Sequence, residues 1–209
     1  MSASTLISGF ETPVLDSLSN FRQLSDAIAR PGKIVALPKL IGPEGVYKTS
    51  FSVLLTMLDA KSSLYFSDEY RIESVTKNVI FHCNCSCDVA TEKADFALVN
   101  GNQALDFTRF NAGTAHDPHQ STTLLIEVDE LAAGNVEALS TKLALSGPGI
   151  KTEHVISIAG LHASFIDYLT HRLHAFPAGL DMFFMTDDKV MAIPRTTHVA
   201  KIEEATSCM

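Results

Sequence analysis

The chain has 209 residues, 46% of them hydrophobic and 19% charged, with a formal net charge of −8. That length suits one core of the usual single-domain size. An acidic chain without a basic tract is a poor match to nucleic-acid phosphates, which need a local Lys/Arg surface. No window approaches the roughly 18 consecutive apolar residues of a membrane span. The first ten residues lack the basic start and apolar run of a signal peptide, so the expected location is the cytoplasm. The charged fraction lies below the roughly 25% typical of soluble domains, a hint that a partner covers some apolar surface.

In chain order, residues 13–30 show helical periodicity. Val14, Leu18, Phe21, Leu24 and Ile28 form one apolar stripe, with Asp16, Asn20, Arg22, Gln23 and Asp26 on the other side. Pro31-Gly32 ends this helix, and residues 33–37 read as a short strand stopped by Pro38. A loop marked by Gly42, Pro43 and Gly45 leads to a second helix over 48–60, apolar enough to be largely buried. Residues 64–66 form a strand, 71–81 a third helix with Ile72, Val75, Val79 and Ile80 inward, and 94–99 another strand.

The polar loop 111–120 precedes a β-branched strand over 122–128, and further strands are expected over 139–146 and 155–158. The segment 161–174 is an amphipathic helix with Leu161, Phe165, Tyr168, Leu169 and Leu173 inward. Two nearly all-apolar strands, 180–185 and 190–193, then flank a polar turn, as expected of a hairpin buried on both faces. Strands alternating with helices imply an α/β fold with a mixed, largely parallel central sheet flanked by helices. Without a repeat, linker or composition break, residues 1–209 read as one domain, with 1–12 and 200–209 as loose ends.

The candidate site follows that hairpin. Beyond Pro194 stand Arg195, Thr196, Thr197 and His198, where a buried strand should surface. A guanidinium can grip a phosphate, phosphonate or carboxylate through two parallel hydrogen bonds, with the threonine hydroxyls as added donors. Arg195 can equally pair with Asp181, or another carboxylate, to lock the hairpin. No catalytic set accompanies it: Gly147-Pro148-Gly149 lacks the Lys-Ser/Thr of a P-loop and the third glycine of a dinucleotide fingerprint, and no Gly-x-Ser-x-Gly elbow exists.

Metal ligands are similarly incomplete. His116, Asp117 and His119 share a loop restricted by Pro118, and His171 and His174 lie three apart on a helix. Cys83, Cys85 and Cys87 alternate, but no second Cys or His pair complements them as a zinc site needs. In a strand the three thiols would share one face and behave as small apolar residues. The fourth cysteine is Cys208.

Taken together, Phe21-Arg22, Pro31-Gly32, Gly147-Pro148-Gly149-Ile150, the Phe176-Pro177-x-Gly179-Leu180-Asp181 run and the 192–199 segment Ala-Ile-Pro-Arg-Thr-Thr-His-Val resemble the PhnH family of carbon–phosphorus lyase components across nearly the whole chain. The resemblance implies a bacterial cytoplasmic protein of phosphonate catabolism. It implies a fold like the large domain of fold-type I pyridoxal-phosphate transferases, without the cofactor site and without any cofactor. It further implies a homodimer when isolated, and partnership with subunits G, I and J, and with L, of the carbon–phosphorus lyase complex. Within it the resemblance associates subunits G, H and I, with L, with displacing adenine from ATP by methylphosphonate, giving ribose 1-methylphosphonate 5-triphosphate, with the I component generally regarded as catalytic.

An accessory or scaffold subunit is therefore the expected function. The rival is a stand-alone phosphonate- or nucleotide-binding enzyme built on Arg195. A pyridoxal-phosphate enzyme would need an internal Lys Schiff base. Two features depart from the family pattern: the acidic tail 200–209 and the cysteine triplet.

Overall fold

A computed structural model of the chain describes residues 6–38, 40–171 and 173–202. Helix α1 (Pro13–Ala29) leads into strand β1 (Ile34–Ala36), then helix α2 (Lys48–Met57), strand β2 (Ser63–Phe66) and helix α3 (Glu73–Cys83). Short strand β3 (Ser86–Cys87) is followed by β4 (Phe96–Asn100), β5 (Thr123–Glu127), β6 (Glu130–Ala133), β7 (Thr141–Ser146) and β8 (His154–Ala159). Helix α4 (Ala163–His171), the hairpin β9 (Asp181–Met185) and β10 (Lys189–Ile193), and strand β11 (His198–Lys201) complete the order.

Two sheets are built from these strands. The larger has seven strands in the order β1-β10-β9-β5-β4-β2-β3. β3, β2, β4, β5 and β9 run parallel, while β10 and β1 add antiparallel at one end. A separate antiparallel sheet has the order β11-β7-β8-β6. The α/β class and the mixed, largely parallel main sheet match the sequence reading. The second sheet does not, because β6 and β11 carry no strong strand pattern and β7 and β8 read as members of one sheet.

The large sheet is buried on both faces, and strand alternation divides its side chains between two cores. Phe183, Met185, Val190, Ala192, Leu98 and Leu125 face helices α1, α2 and α3. Their neighbours Met182, Phe184, Met191, Ile193, Leu124 and Ile126 face the second sheet and α4. This is why β9 and β10 are apolar at nearly every position. Helices α1, α2 and α3 cover one face; the other is covered by the second sheet and α4, with β6, β7, β8 and α4 inserted between the adjacent parallel strands β5 and β9.

The helix faces depart from expectation in one consistent way. On α1 the buried residues are Asn20, Leu24 and Ala27, whereas Val14, Leu18 and Phe21 are exposed. At about 100° per residue the apolar arc spans nearly half the helix, and only part of it turns inward. Asn20 faces inward because its amide donates to Ser52 Oγ on α2 at 2.7 Å. On α3 Val75, Asn78, Val79 and Cys83 are buried, while Ile72 and Ile80 are exposed. Asn78 there accepts the Ile7 backbone N–H at 2.8 Å and donates to Ser74 O at 2.8 Å. On α4 Phe165 and Leu169 are buried but Leu173, just beyond the helix, is exposed.

Candidate functional site

Arg195 and Asp181 stand at the same end of the β9–β10 hairpin, because the antiparallel pairing sets Ile193 opposite Met182. Asp181 Oδ1 accepts the Arg195 backbone N–H at 2.8 Å. Its carboxylate also takes Nε at 3.2 Å from each oxygen, and Nη2 at 2.5 Å from Oδ2. The rest of the guanidinium fork reaches the 111–121 loop: Nη1 donates to Pro118 O at 2.5 Å and Nη2 to Ser121 Oγ at 2.6 Å. The two side chains retain only 15% and 19% exposure, so these bonds form largely away from water.

The neighbouring candidates do not gather around a common ligand position. Thr197 is buried in a turn closed by its N–H to Pro194 O at 2.9 Å, and Thr196 is half-buried. His198 is exposed and begins β11, opposite Ser146. Beside Arg195 lies a cavity of about 40 Å³, lined by Tyr168, His174, Gly179 and Thr197 among others. That is room for about one water, far below the roughly 300 Å³ of a small-ligand pocket. Burial holds the Tyr168 phenol above its ordinary value and the His174 imidazole below its own.

The motifs that are far apart in the chain meet at this end of the fold. A Cβ on Gly149 would lie 2.2 Å from Ala29 O and 2.9 Å from the Pro31 ring, so the Gly147–Gly149 turn packs directly on the α1 terminus. Gly147 abuts the Thr196 carbonyl in the same way, at 3.2 Å. Gly32 N–H donates to Ala192 O at 3.1 Å, and a Cβ on Gly179 would meet Arg195 Cβ at 3.1 Å. Close backbone approach, which only glycine permits at 2.2 Å, explains these residue types without invoking a phosphate cradle. Phe21-Arg22 does not join the cluster; it sits on the outer face of α1.

A second polar centre has no warning in sequence periodicity. Glu127, at the carboxyl end of β5, is 6% exposed. It accepts the Tyr47 N–H at 2.8 Å and the Tyr70 hydroxyl at 2.9 Å. Burial raises its carboxyl above the usual range despite those donors, and burial beside it raises the Tyr70 phenol too. The only signal in the sequence is a Glu ending an otherwise apolar strand. It joins the 40–47 loop and the 68–70 turn to the sheet.

The cysteine triplet lies partly in a helix rather than in one strand. Cys83 ends α3, Asn84 turns the chain in the left-handed region at φ 54°, and Cys87 belongs to β3. Cys208 is outside the described residues. Among the described residues, no group of three or more His, Cys, Asp or Glu is arranged to hold a metal ion. His116 and His119 are exposed, and Pro118 and Ser121 of that region serve Arg195 instead.

Comparison with known proteins defines the class. The family model for bacterial phosphonate metabolism protein (PhnH) matches residues 8–200, and the chain belongs to that family. It is 32% identical over 201 residues to the alpha-D-ribose 1-methylphosphonate 5-triphosphate synthase subunit PhnH of Rhizobium meliloti (strain 1021), covering 95% of this chain and 98% of the relative. It is 28% identical over 185 residues to HtxG of Stutzerimonas stutzeri, whose name assigns it provisionally to the C-P lyase subunits, covering 86% and 83%.

Proposed function

We propose that this chain is a subunit of a bacterial carbon–phosphorus lyase assembly, assisting formation of ribose 1-methylphosphonate 5-triphosphate from ATP and methylphosphonate as a scaffold rather than as the catalyst. Its partners on this reading are subunits G, I and J, with L, and its place is the cytoplasm. Membership of the family and the names of the two relatives support it. Among the described residues no helix is long and apolar enough to cross a membrane.

One observation carries the scaffold reading, the uncovered apolar half of α1. Val14 is 80% exposed, Leu15 66% and Phe21 52%, and Phe81 on α3 is 62% exposed. Between α1, α2 and α3 a groove of about 560 Å³ is lined by Phe10, Val14, Leu18, Phe21, Leu55 and His82 among others. An apolar surface of this kind marks an interaction site. Another subunit of the assembly covers it, and in the isolated protein a second copy takes its place, giving the homodimer. The mixed, largely parallel seven-stranded sheet, with α1, α2 and α3 on one face and α4 on the other, is also what supports a likeness to the large domain of fold-type I pyridoxal-phosphate transferases, with no cofactor on this reading.

The rival enzyme built on Arg195 has less support, since its guanidinium is turned to Asp181, Pro118 and Ser121 and the adjoining cavity is small. Calorimetric titration of the purified chain with ATP and methylphosphonate separates the two, as heat abolished by Arg195→Ala would favour the rival. The scaffold reading is tested by co-purification of subunits G, I and J with the chain carrying Phe21→Lys. The variant should lose the partners with little change in its unfolding midpoint, because Phe21 is 52% exposed and lies outside the core; retention of all partners would count against this face.

A further inference from the structure

Three cysteine side chains, clustered where α3 gives way to β3, have no part in the subunit reading. Burial alternates from residue 83 to 88, with Cys83 and Cys85 buried, Cys87 half-buried, and Asn84, Ser86 and Asp88 outside the core. The three thiols therefore share one side of the chain although Cys83 lies in α3 and Cys87 in β3. Cys85 Sγ is 3.7 Å from Cys87 Sγ, and Cys83 Sγ donates to Leu54 O at 3.7 Å. Cys83 thus has a helix-anchored partner, while Cys85 and Cys87 face each other.

Cys85 lies just before β3 and Cys87 within it, and their sulfurs already stand in contact at 3.7 Å, against about 2.05 Å in a disulfide. The left-handed residues Asn84 (φ 54°) and Asp88 (φ 56°) bracket the pair. β3 is a two-residue strand at the edge of the large sheet, so its backbone is held on one side alone. Cys87 is paired with Leu64 of β2 while Cys85 precedes the strand, so closure moves Cys85 toward Cys87. The half-buried Cys87 opens the cluster to a small oxidant.

We propose that Cys85 and Cys87 form a reversible two-electron thiol oxidation site, closed to a disulfide by peroxide-class oxidants. One sulfur attacks the peroxide, breaking the O–O bond to give a sulfenic acid and the first water. The second sulfur then displaces the sulfenic hydroxyl as a second water. The balance is two thiols and one hydrogen peroxide to one disulfide and two waters. A small dithiol restores the thiols by exchange. Hydrogen bonding from Cys83 and then Cys87 lowers the Cys85 thiol below its ordinary value, in the direction that favours such exchange.

The test uses the full chain carrying Cys208→Ser, treated with millimolar hydrogen peroxide and read by intact mass and thiol titration. The expected result is loss of two hydrogen atoms and of two titratable thiols, both restored by dithiothreitol, with peptide mapping placing the bond between residues 85 and 87. Cys83→Ser should keep that behaviour. Cys87→Ser should abolish it and accumulate sulfenic acid or its dimedone adduct. An unchanged mass, or a disulfide that persists in Cys87→Ser, overturns the proposal. Because the readout is made on the isolated chain, it stands apart from co-purification with partner subunits.

Discussion

Asp181 holds Arg195 at both ends, accepting its backbone N–H at 2.8 Å and its guanidinium Nη2 at 2.5 Å. The pair closes the end of the β9–β10 hairpin, and the same guanidinium ties that end to Pro118 and Ser121, 77 and 74 residues away in the chain.

Replacing Arg195 by Ala should therefore destabilise the fold by about 2–3 kcal/mol, since it strands a largely buried carboxylate and removes charge-assisted bonds. Arg195→Lys should recover little of this, because an ammonium cannot reach three acceptors as a planar fork does. Urea unfolding measures both. A midpoint shift within experimental scatter would show that the pair is not a structural lock.

Two glycines with positive φ should differ sharply on substitution. A Cβ at Gly149 would sit 2.2 Å from Ala29 O, whereas at Gly134 it would meet nothing within 4 Å. Gly134→Ala should cost about 1–2 kcal/mol for its backbone conformation alone. Gly149→Ala should cost at least about 3 kcal/mol, because the turn must also part from α1. Equal thermal shifts would disprove the close contact.

Glu127 should make stability fall as pH rises. Its folded value is raised above 4.5 by burial, so its contribution is fully present below the unfolded value and is lost as pH rises through the folded one. The advantage of the wild type over Glu127→Gln should accordingly shrink as pH rises from about 4 toward neutrality. Thermal melts across that range decide it, and an advantage that grows with pH would reverse the sign argued here.

The Asn78 side chain anchors the segment before α1 through Ile7 N–H. Asn78→Ala should free that amide, with hydrogen exchange at Ile7 roughly tenfold faster for a lost bond of about 1–2 kcal/mol. Exchange at the Leu125 amide in the central strand should change far less. Uniform acceleration throughout would mean global rather than local loosening.

Much of the architecture is readable residue by residue because the relevant physics is local. Strands β4, β5, β9 and β10 and helices α1 to α4 come from apolar runs, from helical periodicity and from the stops at Pro31-Gly32 and Pro194. The faces of α1 and α3 are not readable this way. Asn20 and Asn78 turn inward toward Ser52 and Ile7, partners that lie 32 and 71 residues off and that no helical period reveals. Val14, Leu18 and Ile80 remain outside because the faces of α1 and α3 that carry Asn20 and Asn78 are the ones turned inward. Strands β6 and β11 escape a local reading for the same reason, since their pairing partners rather than their own residues make them strands.

By itself, then, the sequence determined the α/β class, the doubly buried hairpin and the motifs that mark the family, all of which rest on spacing within short segments. Only the tertiary structure decided that Arg195 is turned to Asp181, Pro118 and Ser121, and that half of α1 is left uncovered. The structure likewise decided that a second sheet, together with α4, covers the far face. Those outcomes depend on which distant surfaces compete for burial and for each hydrogen bond, a competition that takes place only once the chain has closed on itself.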